Sequence, residues 1–221
     1  MTPTLKHGVS KNGILFILGK PIFPCVSSRH CGFAVKFLPC FFVNCEVKSQ
    51  KTKALDFIID RLTNSIQNTI SGDSFQTEVS TFTKADSKLV TKKEGWQFNW
   101  KTALVDPSKE VYKLTIVNNP AIIQGLICLS IHPDHILMDL VESAPFNIGK
   151  NKLYEGVAGN LVAFACKLSF QYGFDGFVSF TAKTRLIHHY EKTLGAFHFG
   201  GHRMIIPSQS AEILVNKYFK S

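Results

Sequence analysis

One stretch of this chain, residues 137–196, reads as strand, glycine-bearing turn, helix, strand and helix in succession. The apolar run at 136–141 predicts a strand, and the run rich in alanine, leucine and phenylalanine at 161–170 predicts a helix. Gly156 and Gly159 stand between them. Because small residues let backbone N–H groups converge where the helix dipole is positive, this turn predicts an anion site. A phosphate-bearing ligand is the expected occupant.

The runs around this stretch predict the rest of an α/β domain. Apolar runs at 111–117, 122–131 and 136–141 are separated by short turns, so we expect three neighbouring antiparallel strands. The strand–helix–strand unit that follows predicts a parallel pair of strands, so the sheet should contain both antiparallel and parallel neighbours. Downstream, the pattern predicts a strand at 177–181, a helix at 184–194, a strand at 204–206 and a terminal helix at 211–219.

Upstream, residues 51–110 carry three further predictions. Apolar residues between 54 and 70 recur at spacings of three and four, which predicts an amphipathic helix ended by the Ser-Gly-Asp that follows. Residues 75–83 alternate as a strand. The three aromatic residues within 96–100 would share one face of an extended segment, and packing into the core is favoured over a ligand-binding wall.

Residues 1–50 show neither helical nor strand periodicity over a useful length. We interpret them as an N-terminal extension, ordered or not, and residues 51–221 as one domain. Four of the six cysteines fall in the extension at spacings that match no standard zinc or disulfide framework, so we expect reduced thiols and no metal. No apolar stretch reaches the roughly 18–20 residues of a membrane-spanning helix, so we expect a cytoplasmic protein without a membrane partner.

The formal charge of +9 does not by itself indicate a nucleic-acid surface. Its dense basic runs are short, at 48–53 and 84–93, and solvated surface explains them. A nucleic-acid partner is therefore the weaker interpretation. No metal site is predicted at two histidine pairs, because turn chemistry explains the first and no Cys or acid completes the second: His132 with His135, and His198 with His202.

Two blocks on these elements resemble the acetyl-CoA-binding core of the GCN5-related N-acetyltransferase (GNAT) family. Gly-Val-Ala-Gly-Asn at 156–160, with the helix after it, is similar to the family's Gln/Arg-x-x-Gly-x-Gly/Ala loop. His-Tyr-Glu-Lys-Thr-Leu-Gly-Ala at 189–196 is similar to its Tyr-Glu-Lys-x-Gly-Phe helix end. The resemblance covers residues 111–206 well and 51–110 loosely. It implies a GNAT-like mixed, mostly antiparallel sheet flanked by helices, with splayed central parallel strands.

The resemblance also implies where acetyl-CoA binds. The pyrophosphate would lie on the backbone at 156–160, and the pantetheine in a cleft where the strand ending at 141 splays from the strand starting near 177. Leu153 stands where the family often has Gln or Arg. Only the backbone N–H groups and Lys152 would therefore remain to bind the phosphates. The cofactor-binding residues implied in this way are Leu140, Val141, Lys152, Gly156, Val157, Ala158, Gly159 and Asn160.

The family's chemistry assigns two catalytic candidates. By its position in the second block, Tyr190 is the general acid that protonates the departing CoA thiolate. Glu142, at the end of the cofactor-contacting strand, is the candidate general base, and an ion-paired or solvated strand end is an equal alternative. The implied activity is direct transfer of an acetyl group from acetyl-CoA to a primary amine.

The alternative from another class is a non-catalytic acyl-CoA-binding or protein-interaction module that has kept the fold. The acceptor amine, whether on a small molecule, a protein or a charged tRNA, is not identified by these residues. An acetyltransferase acting on charged tRNA would be the nucleic-acid-directed version of the activity. A homodimer is also left open.

Overall fold

The computed structural model describes residues 53–62 and 65–219. The predicted extension at 1–50 lies outside the described residues. Within residues 53–62 and 65–219, no helix combines the length and the apolar character needed to cross a bilayer.

The described part of the chain forms short strands and four α-helices, joined by turns that include several 3₁₀ turns. The strands are β1 (Ile66–Asn68), β2 (Ser74–Phe75), β3 (Thr77–Thr81), β4 (Lys109–Ile116), β5 (Asn119–Ile131), β6 (Ile136–Ser143), β7 (Tyr154–Glu155), β8 (Val178–Thr181), β9 (Phe197–Gly200) and β10 (Arg203–Ile206). The helices are α1 (Trp100–Leu104), α2 (Val157–Gln171), α3 (Ile187–Leu194) and α4 (Ser208–Phe219).

Seven strands form the main sheet, in the order β3-β4-β5-β6-β8-β10-β9. Every neighbouring pair is antiparallel except β6 and β8, which are parallel and joined through α2. The prediction of a mixed, mostly antiparallel sheet is therefore confirmed, as are the antiparallel neighbours β4, β5 and β6. The sequence patterns did not predict β9, whose Phe197 and Phe199 side chains are exposed at the sheet edge.

A second, three-stranded sheet has the order β2-β1-β7. β1 pairs with β2 through a tight turn, and with β7 through Gln67 opposite Glu155 and Asn68 opposite Tyr154. Since β7 ends directly before Gly156, this small sheet holds the chain near residue 66 beside the N-terminus of α2.

The predicted helix at 54–70 is wrong for the residues described there. Residues 53–62 contain no helix, and their one bridge is a parallel pairing of Leu55 with Ala182, just after β8. Leu55, Phe57 and Ile59 are buried, and the side chains between them are exposed. The apolar residues of this segment fit the three- and four-residue spacing of a helix as well as the alternation of a strand. Pairing with the end of β8 stabilises the extended conformation.

Two of the three aromatic residues at 96–100 pack into the core, as predicted, but not from a strand, whereas Phe98 is partly buried and lines a cavity. Trp96 and Trp100 are 5% and 1% exposed, and Trp100 opens the short helix α1. They belong to a core cluster that covers one face of the sheet and includes Phe82 and Val111.

The larger core cluster covers the other face of the sheet and includes residues of α2, α3 and α4. Consecutive residues of β5 alternate between the two clusters, as the pleat of a strand requires. Leu126 and Cys128 belong to the smaller cluster, and Ile127 and Leu129 to the larger. The central strands are therefore covered on both faces, which explains their nearly continuous apolar sequence.

β6 separates from β8 halfway along its length. The parallel pairing joins residues 136–138 of β6 to 178–180 of β8 and stops there. On the other side of β6, the pairing with β5 skips Asp139, which therefore forms a β-bulge. A bulge bends its strand and increases the local twist, so residues 139–143 of β6 diverge from β8. The predicted splay of the central parallel strands is confirmed.

Polar contacts hold the bulged residue. The Asp139 carboxylate is buried, accepts a hydrogen bond of 2.5 Å from the Ser130 hydroxyl, and forms an ion pair of 3.2 Å with the Lys109 ammonium. Because a buried carboxylate without partners would be costly, these contacts favour the register in which Asp139 is the extra residue.

The small residues at the start of α2 also serve helix packing. A Cβ atom at Gly159 would lie 2.1 Å from the Tyr218 hydroxyl of α4. Gly159 therefore allows close contact between α2 and α4, whatever ligand the turn binds.

We predict that Gly159→Ala destabilises the fold through this contact. The added methyl group should lower the free energy of unfolding by about 1–3 kcal/mol, because the Tyr218 side chain must leave its place against α2 to make room for it. In a Tyr218→Phe background the hydroxyl is absent and the loss should be smaller, with a coupling energy on the order of 1 kcal/mol. Urea unfolding of the four proteins measures this coupling, and additive losses would contradict the assignment.

Candidate active site

The divergence of β6 from β8 opens a groove in front of α2. We call the space between residues 139–143 of β6 and the end of β8 the splay groove. One end of the groove reaches the N-terminus of α2, and the other reaches α3. Some of the predicted cofactor and catalytic residues lie along it, and others are engaged in the core.

The N-terminus of α2 offers a backbone donor at one end of the splay groove. Gly156 is the N-cap residue, with φ of 88°, a left-handed conformation that glycine adopts without strain. Its N–H donates a hydrogen bond of 3.0 Å to the Asp60 carboxylate. A carboxylate therefore already sits on the donor that was predicted to hold an anion.

The same carboxylate is paired with the predicted phosphate-binding lysine. The Lys152 ammonium lies 2.7 Å from Asp60 and 3.7 Å from Glu155. Arg61 also contacts Glu155, at 2.8 Å. Lys152 is thus at the predicted end of the groove, but its present partners are acidic side chains of the chain itself.

Tyr190 lies in the wall of the groove, fully buried. Its hydroxyl donates a hydrogen bond of 2.7 Å to the Phe57 carbonyl and accepts one of 3.2 Å from the Phe57 N–H. Burial raises the pKa of Tyr190 well above its ordinary value. The hydroxyl therefore stays protonated across the physiological range, as a proton donor must.

Residues 55–60 run along the splay groove between these two ends, and we call them the groove segment. Leu55 N–H donates to the Thr181 carbonyl at 2.6 Å, and Lys183 N–H donates to the Leu55 carbonyl at 3.2 Å. Ile59 N–H donates to His189 Nε2 at 2.9 Å. The groove segment therefore pairs with the end of β8 and with α3.

A second acid of the groove segment is paired as well. Asp56 contacts the Lys183 ammonium and lies 2.5 Å from the Arg185 guanidinium. The hydrogen bond from Lys183, with a further one from Arg185, lowers the pKa of Asp56 below its ordinary value. Asp56 is therefore ionised at neutral pH.

Glu142 has a packing role in this form of the protein. Its carboxylate accepts hydrogen bonds from Gln97 N–H at 2.6 Å and Phe98 N–H at 3.4 Å. Trp100 Nε1 donates a third, at 2.7 Å. Three donors on one buried carboxylate anchor the residues before α1 to the end of β6.

A cavity of about 510 Å³ lies beside the groove segment. Its walls come from the groove segment, the end of β6, Gln97 and Phe98, and the turn at 147–152. Its charged lining is mixed: Lys53, Lys152 and Lys183 with Asp56, Asp60 and Glu142. The cavity has room for a reacting group and a small acceptor beside the end of β6.

The remaining predicted cofactor residues take different positions. Val141 and Ala158 line the cavity, whereas Leu140 packs against the smaller core cluster. Val157 is buried in the larger one. Asn160 is buried and its side chain is engaged, donating to the Gly156 carbonyl and contacting the Thr77 hydroxyl.

The histidine pairs do not form a metal centre in the described part of the chain, where no group of three or more His, Cys, Asp or Glu side chains could hold a metal ion. His132 and His135 stack on one another in the β5–β6 hairpin, with His135 hydrogen-bonded to Asp134. The predicted hairpin between these strands is confirmed. His198 contacts the Gly201 carbonyl, and His202 lies 3.4 Å from the Thr184 hydroxyl.

Sequence reasoning missed the groove segment and its partners. The predicted helix at 54–70 would put Asp56 and Asp60 on its polar side, away from these partners, and nothing in the sequence indicated that His189 contacts Ile59. The available signal was the alternation of buried and polar positions from Leu55 to Asp60, which Ile58 interrupts.

No protein-family model and no curated protein sequence matches the chain. Solved structures with similar folds include the spermidine N-acetyltransferase of Vibrio cholerae in complex with CoA and spermine, at 15% identity and a TM-score of 0.42, covering 62% of this chain and 98% of that one. The ribosomal-protein-S18-alanine N-acetyltransferase of Escherichia coli has 12% identity and a TM-score of 0.44, covering 60% and 94%. The AtaT-AtaR complex bound to DNA has 17% identity and a TM-score of 0.47, covering 62% and 98%. Because these TM-scores lie below 0.5, the description of the fold depends on the strand order of the main sheet and on the separation of β6 from β8, and not on these structures.

We predict that His189 makes stability depend on pH in the weakly acidic range. Burial lowers the pKa of His189 from its unfolded value of about 6.5. Its Nε2 accepts the Ile59 N–H only when the ring is neutral. A depressed folded-state pKa stabilises the fold above the unfolded pKa, and this contribution is lost as pH falls through the folded pKa. Thermal unfolding midpoints should therefore fall more steeply from pH 7 to pH 5 in the parent than in His189→Gln.

His188→Gln is the matched control, because His188 is the adjacent residue on α3 and its side chain is 90% exposed. This variant should keep the parental pH dependence. Equal slopes for the parent and His189→Gln would show that the Ile59 contact does not titrate in this range.

Proposed function

We propose that this chain is an N-acetyltransferase that moves an acetyl group from acetyl-CoA to a primary amine. The observation that carries the proposal is the divergence of β6 from β8 in front of the N-terminus of α2. An extended molecule with phosphates at one end matches a groove of this form, because unpaired strand edge lies along it and a helix N-terminus closes it.

Residues along the groove fit such a ligand. The Gly156 N–H and the Lys152 ammonium both contact the Asp60 carboxylate. In this proposal a phosphate of the cofactor binds these two donors in its place. Residues 139–143 of β6 have no β8 partner, so their backbone groups suit the amides of pantetheine. In this proposal Lys152, Gly156 and the edge of β6 hold the cofactor, and Val141 and Ala158 line the cavity beside it.

Tyr190 is the general acid of the proposed reaction. The neutral amine nitrogen attacks the thioester carbonyl and gives up a proton to the base, the carbon–sulfur bond breaks, and the departing thiolate takes a proton from the Tyr190 hydroxyl. The products are the amide and CoA, and solvent restores the Tyr190 proton. The raised pKa of Tyr190 keeps that proton available. The hydroxyl is oriented toward the groove, where the Phe57 backbone engages it.

We predict that Tyr190→Phe lowers kcat for thiol release from acetyl-CoA by about 100-fold at saturating cofactor, because the proton donor is lost and the ring is kept. The assay uses a panel of small-molecule, peptide and aminoacyl-tRNA amines. Tyr172→Phe is the matched control, since Tyr172 is half-exposed beyond the end of α2, and it should keep parental activity. An active Tyr190→Phe enzyme would remove the acid assignment.

Glu142 is the general base in this proposal and also an anchor for residues 97–100. We predict that Glu142→Gln lowers kcat for acetyl transfer by about 100-fold at saturating cofactor, because an amide cannot accept the ammonium proton. It should also lower the free energy of unfolding by about 1–3 kcal/mol, since a Gln amide cannot accept all three N–H donors. A stability loss with kcat unchanged would leave Glu142 as an anchor alone.

One observation favours the non-catalytic alternative. The groove segment occupies the path that the cofactor would take, with its polar groups satisfied. A protein that had lost acetyl transfer could retain this segment as a permanent part of its core. CoA binding without turnover on any amine of the panel would favour a binding module, and turnover would exclude it.

A further inference from the structure

The splay groove is filled by a piece of the chain with the form of an extended ligand. The groove segment pairs with the end of β8 where β6 has departed. Near its middle, its Phe57 backbone engages the Tyr190 hydroxyl through both N–H and C=O. At its end, the Asp60 carboxylate sits on the Gly156 N–H. An extended backbone and a terminal anion therefore occupy the sites proposed for a pantetheine and a pyrophosphate.

The charges of the groove segment complement those of the groove. Asp60 pairs with Lys152, and Asp56 pairs with Lys183 and Arg185. Removal of the segment would leave these three cations without those partners beside the groove. Three neighbouring cations attract a polyanion such as a pyrophosphate. The ion pairs with the two carboxylates of the groove segment weaken that attraction.

The contacts of the groove segment differ from those of an ordinary core strand. It has one bridge to β8, and several of its polar contacts are to side chains of the site: Tyr190, His189, Lys152, Lys183 and Arg185. Asp56, Ile58 and Asp60 are exposed and line the cavity beside the segment. Release of the segment would also expose Leu55, Phe57 and Ile59, which belong to the larger core cluster. Because its one bridge lies just beyond the last residue of β8, the segment can leave the groove without breaking the pairing of the main sheet.

We propose that the groove segment is an intramolecular mimic of acyl-CoA, which the cofactor must displace before the protein can act as the transferase proposed above. The inference rests on that function for the identity of the ligand. Apparent affinity for CoA is then the intrinsic affinity reduced by the fraction of molecules whose groove is open. Weakening the groove segment raises this fraction and tightens CoA binding.

Calorimetric titration of the full chain with CoA tests the mimic. Asp60→Ala removes the carboxylate from Gly156 and Lys152 without altering the groove, and should lower the apparent Kd for CoA by about tenfold. Asp73→Ala is the matched control, because Asp73 is an exposed acid in the β1–β2 turn and the change in net charge is the same. It should leave the Kd near the parental value. An Asp60→Ala protein that binds CoA no more tightly than the control, or not at all, overturns the proposal.

Hydrogen exchange supplies an independent measurement. In saturating CoA, the amides of Leu55, Phe57 and Ile59 should exchange faster, because all three donate hydrogen bonds within the groove. Amides of α2 after its first turn serve as the internal reference and should not exchange faster. CoA binding with unchanged or slower exchange in the groove segment would overturn the mimic.

The two proposals fail in different ways. Release of the groove segment by CoA, with no acetyl transfer to any amine, would reject the transferase and keep the mimic. Acetyl transfer with the groove segment still protected would reject the mimic and keep the transferase.

Discussion

The divergence of β6 from β8 is the constraint on which the site depends. Parallel strands that stayed paired along their whole length would close the sheet and leave no groove. The bulge at Asp139 ends that pairing, and the Ser130 and Lys109 contacts hold the bulged carboxylate. Backbone groups at the end of β8 then need other partners, since buried N–H and C=O groups are rarely left unpaired. Leu55 supplies them in the form described here.

The N-terminus of α2 explains why an acid lies at residue 60. A helix N-terminus stabilises negative charge regardless of the group that carries it. A carboxylate and a phosphate therefore compete for one donor set, made of the Gly156 N–H and the Lys152 ammonium. The motif read from the sequence identified the donors, and the fold adds that the chain contains its own anion for them.

Apart from the two-residue β7, which was not predicted, the elements from β4 to α3 and then β10 and α4 could be predicted because their periodicity matches the burial that the sheet imposes. β9 could not, since Phe197 and Phe199 are exposed at an edge and carry no burial pattern. Residues 54–62 fit two periods at once, and only pairing with the distant end of β8 decides between them. The same limit applies to the site: Tyr190 and Gly156 lie in local motifs, whereas the partners of Asp60 and Glu142 are more than forty residues away.

The stability of the groove segment and the binding of a cofactor are of comparable size. Burial of three apolar side chains, Leu55, Phe57 and Ile59, stabilises the filled groove by about 1.5–3 kcal/mol each, or roughly 5–9 kcal/mol before ordering entropy is subtracted. A ligand with micromolar affinity gains about 8 kcal/mol on binding. Ordering the segment costs about 1–2 kcal/mol per residue and offsets most of that burial, so the ion pairs of Asp56 and Asp60 are a substantial share of what keeps the groove filled. A groove balanced in this way responds to changes in a single charge, whereas a groove segment buried on both faces would exclude the cofactor permanently.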